Sequence, residues 1–196
     1  VGYAQGTKNA VEFDLTAYAQ PGKNELAVEV YRWTDGSFIE DQDMWRLSGI
    51  ERDVYLYSTA DTRIQDFFLR PNLDRNYRHG QLEGEVTVEN HSNTTVARRV
   101  DLTLLDAAGQ SVFSQSKTVQ VAAGSSAEVS FSRRVANARQ WSAEQPNLYQ
   151  AVIELKDASG KVIEATSTQL GFRSVELKNG QLLVNGQRIM VKGANL

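Results

Sequence analysis

Apolar and polar residues alternate with a period of two through most of this sequence, and helical spacing is nearly absent. In the stretch LEGEVTVE, Leu82, Val86 and Val88 fall on one side of an extended chain, and the other side carries mostly acids. The alternation recurs in VDLTL, AEVSFS and YQAVIELK, which begin at residues 100, 127 and 149. Successive side chains of a strand point to opposite faces, so this pattern predicts strands with one buried face. The sequence therefore predicts an all-β protein.

Glycine-containing turns separate the predicted strands. They are TDGS, AAGQ, AAGSS, ASGK, KNGQ and VNGQ, at residues 34–37, 107–110, 122–126, 158–161, 178–181 and 184–187. Between residues 61 and 172 they leave seven strands, near 64–70, 81–90, 95–106, 111–121, 126–134, 149–157 and 161–172. Seven short antiparallel strands at this spacing are typical of an immunoglobulin-like β-sandwich.

The two flanks of the sandwich differ from it. Residues 1–60 contain the strand-like stretches VEFDLTAY, NELAVEVYRW and ERDVYLYS, with a turn at Pro21-Gly22. So few strands bury little surface for an independent domain, so this block either leans on its neighbour or is part of a larger domain. Residues 173–196 read as a hairpin that runs into a further strand.

Composition excludes several classes of function. The net charge is -3 and no stripe of Lys or Arg occurs, which argues against a nucleic-acid partner. No apolar run approaches the roughly 18 residues of a membrane span, so no membrane association is predicted. Without cysteine, thiolate nucleophiles and cysteine-ligated zinc are impossible. His79 and His91 lie in turn-rich stretches, and both are predicted to be loop residues.

The stretch SFIEDQDMWRLSGIERDVYL, residues 37–56, concentrates the candidate functional residues. On a strand, Asp41 and Asp43 would lie roughly 6.5 Å apart, close to the spacing of some catalytic carboxylate pairs. Neighbours on one strand point in parallel, however, and cannot flank a bond from both sides. A second interpretation is a charged edge whose acids pair with Arg46 and Arg52. Trp33 and Trp45 are either packing residues or platforms for a sugar ring.

Three stretches together carry a family resemblance. VGYAQGTKNAVEFDLTAY continuing to SFIEDQDMWRLSGIERDVYL resembles the end of the sugar-binding jelly roll of large bacterial β-galactosidases of glycoside hydrolase family 2. WSAEQPNLYQAVIEL is similar to the end of that family's immunoglobulin-like domain, and GFRSVELKNGQLLVNGQRIMVKGANL to its connection into the catalytic barrel. The resemblance implies a jelly-roll remainder at residues 1–60, an immunoglobulin-like sandwich at 61–172 and a lead-in to a (β/α)8 barrel at 173–196.

The resemblance also implies an activity, and it implies that the catalytic residues belong to a separate barrel domain. It implies a retaining β-galactosidase whose two catalytic glutamates come from the ends of barrel strands, where barrel active sites are built. These strands would lie beyond Leu196, so the chain alone is expected to be inactive. A β-galactoside substrate is expected to bind only when the barrel is present. The resemblance implies Na⁺ and Mg²⁺ in the larger enzyme and none bound here, and a homo-oligomer. The compartment is left open.

Within the acidic stretch, the resemblance implies that Asp43 binds both a monovalent cation and a galactose hydroxyl. A hard cation prefers oxygen ligands, and a carboxylate can also accept a hydrogen bond from a sugar. Glu40, Asp41, Trp45 and Arg46 would support that segment. Two alternatives stay open: a carbohydrate-binding module that uses Trp33, Trp45 and the acidic edge, and part of another family 2 enzyme such as a glucuronidase or mannosidase.

Overall fold

The computed structural model describes residues 1–5, 9–39, 49–191 and 193. The chain divides into two compact units, Val1–Leu56 and Tyr57–Leu196. In the described residues, no helix is long and apolar enough to cross a membrane.

In the first unit, the stretches predicted as strands form no ladder within the described ranges. Its regular element there is a short 3-10 helix, Asp35–Phe38, at the predicted TDGS turn. The predicted turn at Pro21-Gly22 is present, closed by Asn24, whose Nδ2 donates to the carbonyl of Gln20 at 2.7 Å. The apolar side of NELAVEVYRW is exposed, with Val28 at 60%. The prediction of strands was wrong in these ranges because an extended segment becomes a strand only when a neighbour pairs its backbone groups.

The second unit contains ten strands in its described residues. They are β1 Thr62–Leu73, β2 Gly80–Asn90, β3 Val96–Leu105, β4 Ser111–Val121, β5 Ser125–Val135, β6 Tyr149–Lys156, β7 Val162–Leu170, β8 Val175–Lys178, β9 Gln181–Val184 and β10 Gln187–Arg188. The first seven confirm the seven predicted strands.

These seven strands form two antiparallel sheets, one of order β1-β2-β5 and the other of order β4-β3-β6-β7. Their inner faces supply one hydrophobic core. Strand β6 shows the predicted alternation, since Tyr149, Ala151, Ile153 and Leu155 are all buried. Each fully buried aliphatic side chain contributes about 1.5–3 kcal/mol, so the core stabilises the immunoglobulin-like sandwich that the sequence predicted.

The side chain of Glu164 joins the two sheets directly at their edge. The backbone N–H of Ile64 in β1 donates to Oε2 of Glu164 in β7 at 2.8 Å. A bulge between Ile64 and Asp66 interrupts the pairing of β1 with β2 at this point. Bulges bend a strand and free a backbone group from the ladder. The carboxylate of Glu164 satisfies such a group.

Strands β8, β9 and β10 form a small antiparallel sheet of their own, the C-terminal meander, residues 175–188. This confirms the predicted hairpin. Both of its turns are Asn-Gly pairs in the left-handed region, with φ of 52° at Asn179 and 51° at Asn185. Two-residue turns of this kind match the twist of the strands they join.

Candidate functional site

The five residues predicted to form the binding segment lie outside the described residues. Glu40, Asp41, Asp43, Trp45 and Arg46 all fall within positions 40–48. Their arrangement and roles therefore stay predictions.

The chain enters that segment through a hydrogen-bonded turn. The backbone N–H of Thr34 donates to Oγ of Ser37 at 2.9 Å, and the N–H of Ser37 donates to the carbonyl of Thr34 at 3.0 Å. Gly49 follows the segment with φ of 123°, a conformation that residues with a Cβ rarely adopt. Local backbone geometry is thus defined on both sides of positions 40–48, at Thr34–Ser37 and at Gly49.

Trp33 precedes this turn and is 51% exposed. The guanidinium of Arg32 lies 5.2 Å from the centroid of the indole ring. A cation over the indole face contributes about 0.5–1 kcal/mol at an exposed site. A half-exposed ring is compatible with both predicted roles of Trp33, packing and stacking on a sugar.

In the second unit, the WSAEQPNLY loop is held to the sandwich by its two aromatic residues, Trp141 and Tyr149. The N–H of Trp141 donates to the carbonyl of Phe172 at 2.9 Å. The Oη of Tyr149 accepts from the N–H of Arg139 at 2.9 Å, and its ring packs edge-on against Phe172 at 5.2 Å. These contacts connect the loop before β6 to the residues that follow β7.

Arg173 contacts an aromatic ring. Its guanidinium lies 4.7 Å from the centroid of Trp141, and its N–H donates to the carbonyl of Pro71 at 3.2 Å. No ion pair of Arg173 with an acid occurs in the described ranges. A planar guanidinium stacks well on an indole face. No pattern in the sequence indicates whether an arginine will contact a ring or an acid.

Asn185 anchors the C-terminal meander to the WSAEQPNLY loop, and the sequence analysis did not predict this role. Its Nδ2 donates to the carbonyl of Trp141 at 3.0 Å. Its Oδ1 accepts from the N–H of Ser174 at 3.0 Å, and its own N–H donates to the carbonyl of Ser174 at 2.9 Å. The Asn-Gly dipeptide signals the turn, but the side-chain partners come from residues distant in sequence.

A second anchor of the meander is Tyr77, whose hydroxyl donates to Oε1 of Glu176 at 2.8 Å. The hydrogen bond to Glu176 and burial together raise the pKa of this phenol. The ring lies against Gly186, where a Cβ would be 2.5 Å from Cε2 of Tyr77. Together, Asn185 and Tyr77 fix the orientation of the meander on the sandwich.

Both histidines lie in turns, as predicted. Nδ1 of His79 accepts from the N–H of Asn137 at 3.1 Å. Nε2 of His91 lies 3.1 Å from Oε2 of Glu89, and the His91 side chain is 54% exposed. In the described ranges, no group of three or more His, Cys, Asp or Glu side chains could hold a metal ion.

Where the pKa of a described carboxyl group is shifted, it is lowered. Hydrogen bonds from backbone N–H groups lower that of Asp74, and the hydroxyl of Ser159 lowers that of Asp157. Burial of Asp101 acts to raise its pKa, but hydrogen bonds from Lys156 and Ser116 outweigh it. A general acid of a glycosidase needs the opposite shift. The three shifted carboxyl groups, Asp74, Asp101 and Asp157, therefore lack the shift of such an acid.

Comparison with known proteins relates the chain to β-galactosidases. It is 43% identical over 196 residues to a β-galactosidase of Priestia megaterium, and 42% identical over 206 residues to one of Photobacterium profundum. A β-galactosidase of Vibrio cholerae is 41% identical over 201 residues. Each match covers 100% of this chain and 19% of the relative.

Solved structures share the fold at lower identity. A structure of Bacteroides uniformis β-glucuronidase 2, covalently bound to cyclophellitol-6-carboxylate aziridine, matches with a TM-score of 0.71 and 18% identity, covering 78% of this chain and 19% of that one. A putative β-galactosidase from Bacteroides fragilis matches with a TM-score of 0.60 and 21% identity, covering 67% and 20%.

Family profiles match most of the sequence. The profile described as "Glycosyl hydrolases family 2, sugar binding domain" matches residues 1–60, and the one described as "Glycosyl hydrolases family 2" matches residues 62–173. The chain therefore belongs to glycosyl hydrolases family 2.

Proposed function

We propose that this chain is a non-catalytic N-terminal portion of a retaining β-galactosidase that hydrolyses terminal β-D-galactosides. The observation that carries the proposal is the identity of 41–43% to three β-galactosidases across the whole chain. The chain spans 19% of the length of these relatives. Its proposed work is architectural: the sandwich holds the segment around Asp43 and the meander in register with a catalytic barrel.

The alternative of a glucuronidase has weaker support. Structures of β-glucuronidases match at TM-scores up to 0.71, but at 18% identity the likeness supports the shared fold alone. Fold does not determine substrate, because different activities are carried by different sites on one fold. Whole-chain identity therefore favours a β-galactosidase.

Two catalytic carboxylates of a retaining glycosidase stand about 5–5.5 Å apart, and one of them needs a raised pKa. Several described acids instead pair with cations. Asp101 and Glu154 share the ammonium of Lys156 at 2.7 and 2.8 Å. Glu85 pairs with Arg70 at 2.7 Å. We place the catalytic acids in the barrel, as the family resemblance implies.

For Asp43 the proposal is a ligand role at the edge of the barrel pocket. The carboxylate oxygens of Asp43 would suit a hard monovalent cation such as Na⁺, with the remaining ligands supplied by the barrel. A bound cation would supply a fixed positive charge near the sugar. Asp43 would orient a galactose hydroxyl by accepting its hydrogen bond, with Glu40, Asp41, Trp45 and Arg46 supporting the segment.

The test uses the complete enzyme that contains this chain, assayed on a nitrophenyl β-D-galactoside and on the matching β-D-glucuronide. We expect hydrolysis of the galactoside. Because a hydrogen bond to a charged group contributes about 1.5–3 kcal/mol, Asp43→Ala should lower kcat/KM by about 10- to 100-fold and weaken its dependence on sodium. Asp53→Ala, at an exposed acid of the same unit, is the matched control and should change little.

Two results would overturn the proposal. Preference for the glucuronide would refute the assigned activity, and equal kinetics of the Asp43 and Asp53 variants would refute the ligand role. The 196-residue chain alone should neither cleave a galactoside nor bind one detectably in calorimetry. Micromolar binding would favour the carbohydrate-binding module instead. In the complete enzyme we also propose a homo-oligomer, which sedimentation would show.

A further inference from the structure

The C-terminal meander contains a matched pair of chemically labile sites. The sequence has two Asn-Gly dipeptides, Asn179-Gly180 and Asn185-Gly186. Glycine has no Cβ to shield its nitrogen, so this dipeptide is the one in which asparagine most readily loses its side-chain amide. Both pairs are two-residue turns of nearly equal geometry. The asparagines have φ of 52° and 51°, and the glycines 71° and 75°.

The surroundings of the two side chains differ although their backbones do not. At Asn185, Nδ2 donates to the carbonyl of Trp141 and Oδ1 accepts from the N–H of Ser174, both at 3.0 Å. The following glycine is covered by the ring of Tyr77, only 2.5 Å from the position a Cβ would take. Reaction at Asn185 must therefore break two hydrogen bonds inside a packed contact.

At Asn179 neither restraint is present in the described part of the chain. Asn179 and Gly180 are both exposed. No atom lies within 4 Å of a Cβ placed on Gly180. The side-chain amide makes no hydrogen bond to any described residue, so it is free to rotate toward the next backbone nitrogen.

We propose that Asn179 is a site of spontaneous deamidation and that the fold protects Asn185 from the same reaction. The backbone nitrogen of Gly180 attacks Cγ of Asn179 and gives up its proton. The bond from Cγ to the side-chain nitrogen breaks, and ammonia leaves, which produces a cyclic succinimide. Water then opens the ring at either carbonyl to give aspartate or isoaspartate.

The two sites would have different consequences for the protein. A carboxylate formed at Asn179 lies in solvent next to Lys178, at the free end of the β8–β9 turn. At Asn185 the reaction would remove the donor to Trp141 and with it one of the two anchors of the meander. Asn185, the protected position, is the one whose side-chain amide makes tertiary contacts. This inference does not depend on the proposed function.

Peptide mapping by mass spectrometry of the 196-residue chain, aged in mildly alkaline buffer, tests the proposal. We expect Asn179 to convert about tenfold or more faster than Asn185, since two hydrogen bonds must break at the latter. The same measurement in concentrated urea is the control, because the residues before the two turns, Lys178 and Val184, differ. There the ratio of the two rates should fall by about tenfold.

Asn179→Gln should remove the fast conversion and leave the slow one. Tyr77→Ala, which uncovers Gly186, should accelerate conversion at Asn185 alone. The proposal is overturned if both sites convert equally fast in the folded chain, or if the ratio is the same with and without urea. The rates in buffer and in urea are both measured on the unaltered sequence, so they do not depend on the folding of a variant.

Discussion

Asn90 offers the sharpest test of how the sandwich is held together. Its side chain is fully buried, at 0% exposure, where β2 ends. Nδ2 lies 2.8 Å from the carbonyl of Thr94, 3.2 Å from that of Val121 and 3.1 Å from that of Ala122. Oδ1 accepts from the N–H of Ser92 at 3.0 Å. One amide thus connects the β2–β3 turn to the end of β4.

Asn90→Ala should lower the free energy of unfolding by about 3 kcal/mol. The buried carbonyl of Val121 would lose its donor, at a cost of about 1–3 kcal/mol, and the bonds at the turn would contribute about 1 kcal/mol more. With a urea slope of about 1–3 kcal/mol per molar, the unfolding midpoint should fall by about 1.5 M. Circular dichroism of the chain in urea measures it.

Two further variants decide the cause. Asn93→Ala removes an exposed asparagine from the same turn and should change stability by less than about 0.5 kcal/mol. Asn90→Asp keeps the size and both acceptor lone-pair positions of the side chain but loses its N–H donors, and it should be at least as destabilising as alanine. If Asn90→Asp were nearly neutral, or if the Asn90 and Asn93 variants behaved alike, donation to the three carbonyls would not be what stabilises this end of the sandwich.

Two other perturbations follow from the packing and the charges. Gly80→Ala should destabilise by about 1–3 kcal/mol, because its Cβ would lie 2.7 Å from the ring of Phe172; an unchanged melting temperature would contradict the packing. Burial acts to raise the pKa of Asp101, but the hydrogen bond from Lys156 helps hold it below its ordinary 3.8. Asp101 therefore stabilises the fold above that pH, and the contribution is lost as pH falls through the lower folded pKa. Lys156→Met should reduce the loss of stability in acid, measured as the difference between urea midpoints at neutral and acidic pH. An undiminished difference would contradict the role of Lys156 in lowering the pKa of Asp101.

The seven sandwich strands were predictable because their signals are local. Alternation of apolar and polar residues and the glycine turns both act within a few residues, and they place strands such as β2 and β6 to within a few positions. The pairing of those strands was not predictable in the same way. β3 pairs with β6 across about fifty residues, as in the partners Leu102 and Ile153. Which strands become neighbours depends on how the two inner faces fill one core.

The first unit shows the limit of the same local signals. The stretch NELAVEVYRW alternates as clearly as β2, yet it forms no ladder in the described ranges. β-propensity measures fit to a half-buried pleated surface and cannot supply the neighbouring strand. The candidate binding segment at positions 40–48 was found by resemblance, and its geometry stays a prediction.

The order of apolar and polar residues by itself determined that this chain is all-β, and together with the turn residues it set the strands and hairpins of the sandwich. Its stretches of family similarity also established its membership. The tertiary structure decided the partners: Arg173 stacks on Trp141, and Asn185 and Tyr77 hold the meander. The physical reason is that propensity and turn geometry depend on neighbours in sequence. A hydrogen bond or a stacked ring depends on residues that only folding brings within reach.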